Sequence, residues 1–135
     1  ENLNILDYDT YFAATDFMLG GDIPSSLLLF NDCLSLGFDG HHFIQGFAAH
    51  LRDLMLAQFP ATISLMEVGE ETKQRYEAQA KRTPPSFLLG AIDIANHCDL
   101  QFKNAKNQRL LVELAIMKIA SMLSGGEKKI LIGQR

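Results

Sequence analysis

Asp39-Gly40-His41-His42-Phe43-Ile44-Gln45-Gly46-Phe47-Ala48-Ala49-His50-Leu51-Arg52-Asp53-Leu54-Met55 is the stretch whose spacing decides the fold class. Phe43, Ile44, Phe47, Leu51, Leu54 and Met55 recur at steps of three and four, the period of an α-helix with one apolar stripe. Gln45, Arg52 and Asp53 point away from that stripe. Asp39 stands where a carboxylate accepts the unpaired amides of a first turn and meets the positive end of the helix dipole. Gly46 inside such a helix costs about 1 kcal/mol relative to alanine, so the spacing predicts that a neighbouring helix packs closely there.

The same period extends in both directions. Upstream, Tyr8 to Leu19 places Tyr8, Tyr11, Phe12, Thr15, Met18 and Leu19 on one side, and Gly20-Gly21 ends that helix because glycine enters the left-handed conformation freely. Asp22 caps a second helix with Pro24 in its first turn, where a missing amide does no harm. Ile23, Leu27, Phe30 and Leu34 form its stripe, and Gly37 stops it. So short a link between two helices predicts an antiparallel hairpin. Downstream, Pro60 begins a short helix through Leu65 and Met66. Glu70 to Arg82 is the most polar stretch, with acids early and bases late as the macrodipole favours, and is expected on the surface.

Thr83-Pro84-Pro85 is the clearest punctuation, since a proline pushes the residue before it out of the helical region. Thr83 is expected to cap the next helix, with Pro84 at its first position and Phe87, Leu88, Ala91, Ile92 and Ala95 on its inner face to about Asp99. Residues 100–106 read as a polar link. The last helix, Asn107 to Leu123, puts Leu110, Leu111, Leu114, Met117 and Met122 on one broad face with Ile116 and Ile119 beside it, which predicts a central, buried helix. No strand alternation of useful length appears. The fold class is therefore all-α, a single domain of about seven helices around one core. Residues 3–123 form that domain; 124–135 form a C-terminal tail, opened by Gly125-Gly126 and carrying Ile130, Leu131 and Ile132, expected to fray or to pair with a neighbour.

Composition narrows the function. The chain has 135 residues, 47% of them hydrophobic and 21% charged, which suits one globular domain and rules out disorder. No apolar run approaches the roughly 20 residues of a membrane span. Two cysteines, Cys33 and Cys98, are too few for a disulfide scaffold and suit a reducing cytoplasm. A net charge of −4 argues against a surface dedicated to nucleic acid. The charge is uneven: residues 1–62 hold eight acids and one base, a net −7, and residues 63–135 hold eleven bases and eight acids, a net +3. Two readings stand open. The acids start helices, as Asp7 or Asp9, Asp22 and Asp39 would, or the surface is bipolar and lets neighbours pack with opposite charges facing.

The motifs of chemistry are mostly absent. Gly20-Gly21 and Gly125-Gly126 lack the lysine and hydroxyl of a phosphate loop. His41-His42 lies near Asp39, but adjacent helical residues point about 100° apart and chelation wants a spacing of four; they read as polar residues of an exposed first turn. His50, beside the apolar stripe, reads as a partly buried, hydrogen-bonded histidine. His97-Cys98-Asp99 resembles a clustered triad, yet sequence neighbours diverge on a helix and real Cys–His pairs meet through the fold. Cys33 and Cys98 read as small core residues, and Phe38, Phe43 and Phe47 as core. Lys103, Lys106 and Arg109 form a small basic patch, and Arg109 and Glu113, one turn apart, are spaced to pair.

Several segments, in order, resemble a known family. They are Asn4-Ile5-Leu6-Asp7-Tyr8-Asp9, Gly37-Phe38-Asp39-Gly40-His41-His42-Phe43-Ile44, His50-Leu51-Arg52-Asp53-Leu54, Pro85-Ser86-Phe87-Leu88-Leu89, and Lys106-Asn107-Gln108-Arg109-Leu110-Leu111-Val112-Glu113-Leu114. Together they look like the third domain of the bacterial DNA polymerase III gamma/tau subunit, with a Bacteroidetes-type flavour, across most of residues 3–123. The tail from Gly125 departs from it, and nothing is carried onto the tail. The resemblance implies the helical collar of the replicative clamp loader, which joins subunits into a ring-like pentamer. ATP, magnesium and the ATPase belong to the parent's first two domains, so this chain is expected to hold no cofactor, metal or catalytic residue. The missing phosphate loop, the helical composition and a start at Glu1 without methionine agree. The implied partners are gamma/tau copies, delta and delta-prime, met through heterologous contacts, with no membrane and no direct DNA binding. Arg52, Lys106, Arg109 and Glu113 are the candidate interface residues, on the idea that the −7 and +3 halves supply two faces. The alternative is an independent small helical ligand-binding protein or enzyme, whose sign would be His50, His97 and Cys98 converging on one pocket.

Overall fold

The helix starts are written in side-chain oxygens. In the computed structural model, which describes residues 6–123, the order is α1 Tyr8–Leu19, α2 Ile23–Ser35, α3 Gly40–Leu56, α4 Pro60–Ile63, α5 Glu70–Lys81, α6 Pro85–Gln101, a 3₁₀ turn Phe102–Asn104, and α7 Gln108–Ala120. Asp7 accepts from the Thr10 amide at 3.1 Å, Asp22 from Ser25 at 3.0 Å, Asp39 from His42 at 2.7 Å and Asn107 from Leu110 at 2.9 Å. Each cap satisfies an amide that the helix itself leaves unpaired, a contribution of about 1 kcal/mol. Gly21 and Gly37, with φ of 72° and 103°, turn the chain after α1 and α2 in a region other residues avoid. The tail at 124–135 lies outside the described residues, and no strand occurs among those that are described.

α3 is the axis of the fold. Phe43, Ile44, Phe47, Leu51 and Leu54 are wholly buried, and α1, α2, α5, α6 and α7 all pack against it, α6 most extensively. The Phe43 ring lies 5.2 Å from Phe30 of α2 and 5.7 Å from Tyr11 of α1. Burying each such side chain contributes about 1.5–3 kcal/mol, so these five positions make α3 a main contributor to core stabilisation. Gly46 has the role its sequence position predicts. A Cβ there would overlap the Tyr11 hydroxyl, which donates across the helix pair to the Phe43 carbonyl at 3.3 Å.

Several local expectations are corrected. Thr83 does not cap α6. Its hydroxyl donates backward to the Gln79 carbonyl at 2.6 Å, closing α5, and α6 starts at Pro85 behind a bare Pro84. Proline at the first helical position removes one of the amides that a helix start leaves unpaired, and no side chain caps the others. The polar link at 100–106 is partly helical: α6 continues to Gln101 and the 3₁₀ turn follows, held by buried Phe102. On α2 the deeply buried positions are Ser26, Phe30 and Cys33, with Ile23, Leu27 and Leu34 only half-buried. The polar helix α5 is not purely superficial, since Tyr76, Gln79 and Ala80 face inward.

The largest difference concerns α7. Its inner side is Val112, Ala115, Ile116, Ile119 and Ala120, whereas Leu110 and Leu114 are 51% and 43% exposed. Small alanines let α7 approach the core, and Val112 seats against Gly40 at the start of α3. Hydrophobic period alone does not say which of two apolar faces turns inward.

Candidate interaction surface

The outward side of α7 is one of several exposed apolar features, and it has ordered polar neighbours. Leu110 and Leu114 are one turn apart on it, with Met117 half-buried beyond them. Arg109 reaches across to α2, donating to Asn31 Oδ1 at 2.8 Å, and pairs along α7 with Glu113 at 3.1 Å. Lys106 is exposed just before the helix. A 270 Å³ groove runs beside Leu114 between α6 and α7, with Ile94, Cys98 and Leu111 in its wall. Three of the four sequence-derived candidates, Lys106, Arg109 and Glu113, thus sit around one leucine pair. Arg52 does not join them. It is bonded to its neighbour Asp53 at 3.2 Å, and twelve residues, about 18 Å of helical rise, separate it from Gly40, where α3 meets α7.

The histidines and cysteines do not form one centre. His50 borders a cavity among α1, α3 and α5, while His97 and Cys98 border the α6–α7 groove. The convergence that an independent enzyme would need is therefore not found. His41 is less exposed than a free first-turn residue: its Nε2 bonds to Asp99, and its ring stacks 4.6 Å from Phe102. His42 is exposed, with the Phe38 ring edge-on at 5.8 Å. Phe43 and Phe47 are core. Cys33 and Cys98 are buried free thiols, each pushed up to about 11 by desolvation, the opposite of what a nucleophilic thiolate requires. No group of three metal-ligating side chains occurs among the described residues.

One polar network escaped the sequence reading. His50, on α3, is 2% exposed and faces α1 and α5. Its Nε2 is 2.9 Å from Gln79 Oε1 and its Nδ1 is 3.1 Å from the Tyr76 hydroxyl. Gln79 Nε2 donates to the Phe12 carbonyl and to Asp16, both at 2.9 Å, and Arg82 grips Asp16 at 2.9 and 3.1 Å. Burial lowers the His50 imidazole to about 4, so it is neutral near pH 7. The signal for Gln79 was present but faint: Tyr76, Gln79 and Ala80 share helical spacing within a stretch otherwise read as solvated. The same contacts show where part of the charge asymmetry goes. Asp16 meets Arg82, and Asp9 meets Arg75 at 2.8 Å, so acids of the first half are paired with bases of the second inside the molecule.

An all-helical domain with a two-sided α7 and no assembled reactive centre among its described residues is the class these features define. The family model described as DNA polymerase III subunits gamma and tau domain III matches residues 3–133. The chain belongs to that family, and is therefore a domain of a clamp-loader subunit, a non-catalytic one. No curated protein matches it. None of its helices, over the residues described, is long and apolar enough to cross a membrane.

Proposed function

We propose that this domain is the collar of the clamp loader, the piece that holds neighbouring subunits together, and that the outward face of α7 is one of its contacts. The exposed Leu110–Leu114 pair carries this reading. A solvent-facing apolar pair on an ordered helix, rimmed by charges fixed in place, has the composition of an interface centre with a polar rim. Arg109 is held by Asn31 and Glu113, so little side-chain entropy is lost when it meets a partner. Lys106 extends the same rim. Arg52, on a different part of the surface, supplies the second face that a heterologous ring needs.

The partners are further gamma/tau copies, delta and delta-prime. ATP and Mg²⁺ act in the parent's other domains, and the collar keeps those domains at high effective concentration while leaving them free to move. The test is native mass spectrometry of this chain mixed with its loader partners. Charge reversal by Lys106→Glu and Arg109→Glu, and separately Leu110→Ser with Leu114→Ser, should each reduce the assembled fraction. Unchanged assembly in both would discard the α7 face.

A further inference from the structure

The 410 Å³ cavity that His50 borders, on a different side of α3 from α7, has a one-sided hydrogen-bonding character. Its polar lining comes from Asp7, Tyr8 and Tyr11 of the α1 end, His50 and Asp53 of α3, and Tyr76 of α5, with the half-exposed Tyr8 ring edge-on to Tyr76 at 6.3 Å. The protons in this wall can be placed by elimination. Gln79 must direct its NH₂ at the Phe12 carbonyl and the Asp16 carboxylate, because both accept only. Its oxygen therefore faces His50 Nε2, which donates. The neutral imidazole then has an accepting Nδ1, and the Tyr76 hydroxyl gives its proton to it. Tyr11 likewise gives its proton to the Phe43 carbonyl. Both tyrosine oxygens are left with lone pairs and no proton to offer the cavity.

Asp53 adds a carboxylate with only 18% of its side chain exposed. One of its oxygens already meets the exposed Arg52 at 3.2 Å, and the other is open to a ligand. Asp7 adds a second carboxylate, already turned to the Thr10 amide and hydroxyl through one oxygen. Asp53 is also held above the usual carboxylate range, by desolvation first and also by Glu67, against a partial offset from Arg52. Apart from the Tyr8 hydroxyl, the polar groups of this wall accept and do not donate, and two of them are acids, a character that suits a ligand that only donates and is positive. Among biological groups that means an ammonium or a guanidinium. The size falls within the usual range of small-ligand cavities, about 300–1,000 Å³.

We propose that this α1–α3–α5 cleft binds a primary ammonium or guanidinium group, seated on Asp53 and on the Tyr76 and Tyr11 oxygens beside the Tyr8 ring. The inference does not rest on the collar reading, and its experiment needs no partner subunit. The whole 135-residue chain is titrated by NMR with methylguanidinium, with an acetyl-Gly-Arg-Gly amide peptide, and with the matching citrulline peptide, which keeps the shape and loses the charge. Saturable shifts confined to the resonances of Tyr76, His50 and Asp53 are expected with the two cations and not with citrulline. The tighter of the two cations identifies the source, a polypeptide side chain or a free small cation. Asp53→Asn should weaken binding by about tenfold or more, as loss of a charged hydrogen bond does. Tyr76→Phe should weaken it less, because the ring stays and one acceptor goes; a pattern in which citrulline binds as well, or Asp53→Asn changes nothing, overturns the proposal.

Discussion

At the scale of single residues, His50 is the most informative. Its imidazole is buried and neutral, with a native value of about 4 against 6.5 in an unfolded chain. Because the unfolded chain takes up the proton first, stability is complete above about pH 6.5 and falls as the pH drops toward 4, then changes no further from this group. The shift corresponds to on the order of 3 kcal/mol. Urea unfolding across that window should show the loss, and a His50→Phe variant, although less stable throughout, should show a flatter dependence on pH between 6.5 and 4. Equal slopes would mean that carboxylates alone set the acid sensitivity. By contrast, the Arg75–Asp9 pair is well exposed on both sides; replacing Arg75 by Ala should change stability by less than about 1 kcal/mol through that pair, although Arg75 also covers the Phe12 ring at 4.3 Å.

At the scale of elements, α1 against α3 and the two sides of α7 give separate predictions. Gly46→Ala places a methyl where the Tyr11 hydroxyl and ring already are. It should cost about 1–3 kcal/mol, as overpacking does, and Tyr11→Phe in the same chain should recover only part, since the ring carbon is also too near. On α7, Ile116→Ala removes a wholly buried side chain and should cost about 2–5 kcal/mol. Leu110→Ser and Leu114→Ser should each stay within about 0.5 kcal/mol in the isolated chain. Thermal melts of the three variants read the contrast directly.

These elements also show what the sequence could say. α1, α3 and their caps were legible because period, capping acid and stop signal agree at each of them. Gly46 could be read as a close approach because a glycine inside a strong stripe otherwise only weakens it. Thr83 was misread because a hydroxyl before proline can bond forward as a cap or backward to the preceding turn, and the local sequence permits both. α7 was misread because burial depends on which neighbours arrive, and both of its faces are apolar. Of the candidate surface, Arg109 and Glu113 were legible as an i, i+4 pair. The tie of Arg109 to Asn31 crosses 78 residues and leaves no local trace. The pairing of His50 with Gln79 was hidden for the same reason.

At the scale of the whole molecule, one core joins every long helix, so the isolated domain should unfold in a single cooperative step. Far-ultraviolet circular dichroism follows the helices, and the near-ultraviolet signal follows Tyr11 and Tyr76, both buried between α1, α3 and α5. The two transitions should coincide; separated midpoints would show that the α6–α7 side melts independently of the side built on α5. The same unity bears on assembly. In the collar role proposed above, a domain held by one core would pass position between neighbours as a unit and leave rearrangement to the domains it tethers.

The two buried thiols have a use beyond packing. Cys33 belongs to α2 and Cys98 to α6, and both are buried, with their thiols pushed up by desolvation. A maleimide added to the native domain reads local opening around each thiol, so its two labelling rates act as separate clocks for breathing at the α2–α7 and α6–α7 contacts. If a docked neighbour covers α7, both clocks should slow together without any new label being engineered into the chain.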